Sequence, residues 1–469
     1  MTLPPASDMK SDTMKSRYLA LFGAVLVLAS SARAATFNFT GNLRSEASSY
    51  NGLGLGVGNN RTKNFIATRA LLFPNLVVDD HFSVKSQWSL LTSPNFTADA
   101  TAPLGVGQGA YVFGDTAARA LVLSRAWLEW VSDIGVFRLG RMPVTWGYGL
   151  FYDAGDGIWD NYQSTWDRLE YRLHLGYVVG GLAYTKGDKG SVFANENDQE
   201  FFGAFLRYDN PEVEVEAGLL YEKQQRSATQ GADLSGRTAR NPQFHNKATY
   251  TAANSLAHPL NNNLVDLYMK KTTGFFTYGG EVSWISGNAV SLSGGNPTPM
   301  NALAVMLSAA VDYRKVKGSL EFVYASGDSN INSGDATGFV LLHRNRSPGL
   351  ILGRELLGAQ GSESVGLGTP LAYSGASSFS GLFYLKPSVR VEWSPSLTTT
   401  VDLILARKAA VGGGEDANLG IEIDLGAEYS VYKNLKLGAD LGLLAAGAGI
   451  AAPGGSLAYA LRSTMSLAF

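Results

Sequence analysis

The chain predicts an all-β fold, a transmembrane antiparallel β-barrel of about 18 strands with short periplasmic turns and long extracellular loops. Three observations carry this expectation. Apolar and polar residues alternate with period two in segments of about ten residues. The connections between those segments alternate in length. An export segment stands at the N-terminus, and no later apolar run reaches the ~20 residues that a spanning helix needs. The composition agrees, with 54 glycines, 21 tyrosines and 22 phenylalanines, since glycine and aromatic enrichment favours strands and turns. A formal net charge of -2 gives no reason to expect a nucleic-acid partner. The absence of cysteine removes disulfides, thiolate metal sites and cysteine nucleophiles.

Taken in order, residues 1–34 read as a secretory signal peptide and 35–469 as the barrel. Met14 to Arg17 form a basic start, Tyr18 to Leu28 an apolar run, and Ala32-Arg33-Ala34 a small-x-small cleavage site. Strands are expected at 36–47, 63–77, 82–93, 118–132, 134–147, 168–178, 181–188, 199–209, 212–224, 263–271, 274–286, 300–313, 317–327, 380–394, 397–408, 419–431, 433–446 and 457–469. Short turns fall near Asp79-Asp80, Ser132-Asp133, Gly180-Gly181, Asn210-Pro211, Thr272-Thr273, Arg314-Lys315, Pro395-Ser396 and Lys433-Asn434. An even strand count puts both termini in the periplasm. The first strand begins beside the cleavage site, which leaves no room for an N-terminal plug.

The alternation is plain at 168–177. Leu169, Tyr171, Leu173 and Leu175 share one face, and Arg168, Glu170, Arg172 and His174 the other. Trp130, Tyr208, Tyr313, Trp393 and Tyr429 lie beside the short turns on the apolar face, where an aromatic girdle would meet the headgroups. The last segment is a strand ending in Phe469, with mostly apolar residues at alternate positions before it. This resembles the signature read by the bacterial barrel-assembly machinery, an expected partner together with outer-membrane lipid. The expected location is the bacterial outer membrane.

If the apolar face meets lipid, the other face maps the lumen. Strands 1–8 place Arg125, Arg138, Arg168, Arg172 and Arg207 there, with Arg44, Arg69 and Lys85. Later strands place Glu212, Glu214, Glu216, Asp402, Glu422 and Asp424 there, with Asp266, Glu281 and others. Two readings remain: a basic wall facing an acidic wall across the pore, or charges that pair with their neighbours. Two long loops are candidates for a constriction. One is 327–379, with Leu350-Ile351-Leu352 flanked by Arg344, Arg346 and Arg354. The other is 147–167, with Asp153 and Asp156 among Tyr148, Phe151, Tyr152 and Trp159. The run Asp328 to Asp335 has oxygens at alternate positions but lacks the glycine and glutamate of a calcium loop, and no metal or cofactor is expected. The five histidines show no catalytic spacing, so no enzyme is expected.

The run Gly140-Arg141-Met142-Pro143-Val144-Thr145-Trp146-Gly147, continuing through Asp153 and Gly155-Asp156-Gly157 to Asp167-Arg168, resembles large outer-membrane porins of the alginate-export type. Tyr324 to Asp328 is similar to a strand end of the same group. The resemblance implies an arginine-lined pore for a polyanion, to which Arg125, Arg138, Arg141, Arg168 and Arg172 would contribute. Arg141 has the opposite parity to Arg138 and needs a bend near Pro143 to reach the lumen. The acidic second half departs from an all-basic pore. The expected role is therefore passive diffusion of small hydrophilic solutes, charged ones among them. The alternative is a structural or adhesive surface barrel whose lumen is blocked by loop 327–379.

Overall fold

The computed structural model describes residues 35–52, 62–90, 121–160, 164–186, 200–226, 260–289, 298–329, 335, 337–339, 348–352, 381–411, 416–450 and 456–469. The signal segment and loop residues Arg344, Arg346 and Arg354 lie outside them, as does most of Asp328 to Asp335.

The alternating segments form eighteen strands. They are β1 Thr36–Asn51, β2 Lys63–Val77, β3 Phe82–Leu90, β4 Leu121–Ser132, β5 Gly135–Pro143, β6 Thr165–Leu175, β7 Val178–Lys186, β8 Glu200–Asn210 and β9 Val215–Arg226. The second half is β10 Leu260–Thr273, β11 Phe276–Ala289, β12 Thr298–Tyr313, β13 Val316–Ala325, β14 Leu382–Ser394, β15 Leu397–Arg407, β16 Asn418–Tyr432, β17 Leu435–Ala446 and β18 Ser456–Ala468. Each pairs antiparallel with its neighbours in sequence, and β1 pairs with β18 from Asn42 opposite Ala468 to Asn51 opposite Tyr459. Closure leaves no sheet edge, which a barrel in lipid requires because no water is there to satisfy free N–H and C=O groups. Phe469 completes the seam: its N–H donates to the Gly41 carbonyl and its carbonyl accepts from the Gly41 N–H.

The connections at one end are two to four residues long, such as those between Ser132 and Gly135 and between Tyr313 and Val316. Those at the other end are long, and both ends of the barrel chain lie on the short-turn side. The β6–β7 turn is at Gly176-Tyr177, not at Gly180-Gly181 as the glycine pair suggests. Gly180 and Gly181 lie within β7, where Gly181 makes space for the Phe205 ring. In the β2–β3 turn the Asp79 carboxylate accepts the N–H groups of His81 and Phe82, both at 2.8 Å, which holds its pKa below the ordinary carboxylate range.

The wall is inverted relative to a soluble protein. Leu169, Leu182, Leu206, Leu219, Leu267, Leu307, Val401 and Leu461 are exposed on the outside. That apolar belt spans the barrel's circumference, as lipid contact demands. Near the short turns Phe82, Trp130 and Phe137 stack in a row at 5.8 and 5.1 Å, with Tyr171 next at 4.8 Å. Tyr208, Tyr313, Trp393 and Tyr429 continue the girdle. Charged side chains of the strands mostly point inward, and the barrel's buried cluster lies inside it, where loop residues pack against the inner wall. The architecture is that of outer-membrane β-barrels.

Candidate functional site

The loop after β5 folds into the lumen. Trp146 packs edge-on against Tyr268 of β10 at 5.3 Å and against Phe205 of β8 at 6.0 Å. Gly147 then turns the chain with φ +53°, and the N–H groups of Tyr148 and Leu150 donate to the Glu281 carboxylate on β11. The Tyr152 hydroxyl donates to Glu222 of β9 at 2.6 Å. Burial first, and the Glu222 charge next, push this phenol above its ordinary pKa, so it stays a donor.

From Tyr152 the loop returns across the lumen to the opposite wall, where three arginines grip it. Arg125 of β4 donates to the Ala154 carbonyl and to the Asp156 carboxylate at 2.6 Å. Arg44 of β1 donates to the carbonyls of Ile158 and Asp160 at 2.8 and 3.2 Å. Arg69 of β2 donates to the Asp160 carbonyl at 2.5 Å. These guanidiniums therefore spend donors on backbone oxygens, and their forked geometry suits that use. The Asp160 carboxylate accepts the Gly157 N–H at 2.7 Å. Burial, then the neighbouring Asp153 charge, hold its pKa above the ordinary range.

The apolar patch of loop 327–379 is also folded inward. Leu350, Ile351 and Leu352 are buried, and their N–H groups donate to Asp424 at 2.8 Å and to the two oxygens of Glu422 at 2.6 and 2.7 Å. Phe339 of this loop meets Phe151 of the first edge-on at 6.3 Å. Both loops are thus held the same way, by a lumen carboxylate that accepts closely spaced backbone N–H groups. Wall glycines leave room for them. A Cβ at Gly218 would strike the Tyr268 and Trp146 rings, and one at Gly442 would stand 3.3 Å from Leu350.

Arg138, Arg168, Arg172 and Arg207 face the lumen, and so do Glu216, Asp402, Glu422 and Asp424. Most are paired locally. Arg138, Arg168 and Arg172 converge on Glu170 of β6 at 3.0, 3.0 and 2.6 Å. Arg207 pairs with Glu216 at 3.0 Å, and Lys386 lies 3.7 Å from Asp402. These contacts correspond to the second of the two sequence readings, charges that pair with their neighbours.

Two sets of expected lumen residues lie elsewhere. Glu212 and Glu214 belong to the exposed β8–β9 turn, because β9 begins at Val215 and Glu214 takes a left-handed φ of 51°. Arg141 is on the outer face. β5 keeps its register with β6 through to Pro143, so Arg141 keeps the outward parity of Leu139 and pairs with Asp167 through two hydrogen bonds of 2.7 and 2.6 Å. Glu222 and Glu281 were hidden as anchors, since a sequence does not show which loop backbone reaches a wall carboxylate. Glycines at the inward positions 218 and 279 were the available signal that something packs there.

Between the first loop and the β9–β10 wall remains a cavity of about 510 Å³. It is lined by Thr145, Tyr148, Asp153, Asp160, Glu216, Tyr268 and Lys270. Asp153, a sequence candidate, faces it; Asp156 is occupied by Arg125. Among the described residues no group of three or more His, Asp or Glu is placed to hold a metal ion.

No family model matches the chain, and no curated protein is similar to it in sequence. Solved structures are similar in fold. The outer-membrane protein OpdK of Pseudomonas aeruginosa is 11% identical, with 92% of this chain and 99% of that chain covered at a TM-score of 0.50. The outer-membrane channel DcaP of Acinetobacter baumannii is 12% identical, covering 93% and 98% at a TM-score of 0.46. A BenF-like porin from Pseudomonas fluorescens is 11% identical, covering 92% and 99% at a TM-score of 0.48. The likeness to OpdK shows a shared fold.

Proposed function

We propose that the chain is an outer-membrane channel for passive diffusion of small hydrophilic solutes, charged ones among them. The observation that carries this reading is the polar cavity of about 510 Å³ beside the inward loop, lined by carboxylates, Lys270 and two tyrosine rings. A barrel of this strand number is too wide for wall side chains alone to fill. A charged, hydrated lining lets a polar solute exchange water for wall contacts, while an apolar solute must displace bound water at a cost. Residues 1–34 serve as the export signal in this reading. The last strand, ending in Phe469, would engage the assembly machinery.

A surface barrel sealed by loop 327–379 is disfavoured by the same cavity, because the described inward residues of that loop pack against β16 and against Phe151 of the first loop, and none of them lines the cavity. Kinship with alginate-export porins rests on the run from Gly140 to Gly147 and on Asp167-Arg168. An arginine lining for a polyanion is not favoured, since Arg141 faces outward and Arg125, Arg138, Arg168 and Arg172 are engaged with loop oxygens or with Glu170. Purified protein in a planar bilayer should show stepwise conductance, and Lys270→Glu should move the reversal potential in a salt gradient toward cations. Insertion without conductance, in a preparation with a folded barrel, would overturn the channel reading.

A further inference from the structure

We propose that the two inward loops are one cooperative unit, in which the contact of Phe151 with Phe339 couples the hold of Glu281 on the first loop to the hold of Glu422 on the second. This coupling lies beyond the channel reading and does not depend on conduction.

The two latches are built alike. Gly147 stands just before the Tyr148 N–H that Glu281 accepts, and Gly349 just before the Leu350 N–H that Asp424 accepts. A Cβ at Gly147 would lie 2.6 Å from the Glu281 carboxyl group, and one at Gly349 would lie 2.5 Å from that of Glu422. Both loops therefore come as close to the wall as glycine permits. Each ring of the contact is fixed beside an anchor. Phe151 lies between Leu150, whose N–H donates to Glu281 at 3.2 Å, and Tyr152, whose hydroxyl donates to Glu222 at 2.6 Å. With both neighbours tied to the wall, the Phe151 backbone shifts only if a latch opens. Phe339 is held from the other side. Its N–H donates to the Ser326 carbonyl at 2.7 Å, just past the end of β13, and Thr337 bonds to Ser326 and Gly327 at 2.6 and 2.8 Å.

The rings meet at 6.3 Å with their planes 73° apart, an edge-to-face arrangement that aromatic pairs prefer. Phe151 is 0% exposed and Phe339 2%. Leu150, Phe151 and Tyr152 share one buried cluster with Phe339, Leu350, Ile351 and Leu352. In a lumen lined with charges, withdrawing either loop leaves apolar side chains of the other facing water. That shared cost is a coupling free energy, and it acts equally in both directions. The wall supplies no such link, because β12 to β15 separate β11, which carries Glu281, from β16, which carries Glu422. The loop contact is the short route between the two anchors.

The chain has no cysteine, so a single introduced one reports on a chosen loop. In full-length Ile351→Cys protein, folded in detergent, the rate of labelling by a water-soluble maleimide reads how often the second loop leaves its place. Glu281→Ala frees the first loop and should raise that rate roughly two- to tenfold, the factor that an aromatic pair of this kind supplies. In a Phe339→Ala background the same change should add nothing further. The reciprocal experiment, Leu150→Cys with Glu422→Ala, should show a rise of similar size. If an alanine variant does not fold, Glu281→Gln and Glu422→Gln, which keep one acceptor oxygen, should give smaller rises with the same dependence on Phe339. A rate at Ile351→Cys that ignores Glu281→Ala would mean that the loops are held independently. A rise that is equal with and without the Phe339 ring would mean loosening through the barrel, and either result would overturn the proposal. Labelling needs no conductance, so a silent barrel would leave the coupling measurable.

Discussion

At Gly147 the backbone has a φ of +53°, and a Cβ there would stand 2.6 Å from the Glu281 carboxylate. The Trp-Gly step of the sequence motif therefore has a physical reason: tryptophan reaches the wall and glycine lets the chain turn back under it. Gly147→Ala should cost about 1–2 kcal/mol in backbone strain and displace the carboxylate. Limited proteolysis is expected to cut the loop faster while the barrel's unfolding temperature hardly changes. Asp160 gives a pH prediction. Its pKa in the docked loop lies above its unfolded value, so docking binds a proton. The loop is then held best below the ordinary aspartate pKa, and this contribution is lost as pH rises through the raised value. Asp160→Asn should weaken that dependence; a variant whose loop proteolysis still accelerates with pH as in wild type would refute the assignment. Asp79, with a lowered pKa in its turn, works in the opposite sense and is left intact in the comparison.

At the scale of elements, Glu281 and Glu422 each fasten a loop to a strand. Glu281→Ala removes two hydrogen bonds from the loop backbone, each worth about 0.5–1.5 kcal/mol. Single-channel recordings should then show larger and noisier conductance from an intact barrel, with Glu281→Gln intermediate because one acceptor oxygen survives. Strands were readable because lipid and water impose a period of two, and β2 occupies the expected span from Lys63 to Val77. Parity failed where a strand ended early: Glu212 and Glu214 continue the alternation of β9 into a turn that is already exposed. Glycine failed in the opposite direction, since Gly180-Gly181 reads as a turn but serves as a smooth stretch of wall. The apolar patch Leu350 to Leu352 did reveal an inward loop, because apolar residues beside charged ones have no stable place in solvent. Its anchors stayed hidden, for backbone N–H groups carry no sequence label.

For the whole molecule, the question is how a lumen with so many charges remains stable. Glu170 answers part of it, with three guanidiniums within 3.0 Å. Removing its charge would leave those cations to repel one another in a partly dehydrated lumen. Glu170→Gln should destabilise the barrel by about 3 kcal/mol and shift ion preference toward anions, read together as a lower unfolding temperature and a changed reversal potential. A stable variant with unchanged selectivity would mean that water already screens this cluster. The pairing of lumen charges with their neighbours was not legible, because it depends on register, which parity alone does not supply. The wall glycines carry a further consequence. Gly218 and Gly442 are recesses shaped to the loops that fill them, so the contour of each loop is also recorded in the strands. Grafting either loop onto another barrel, or a foreign loop onto this one, would succeed only if the matching recesses moved with it.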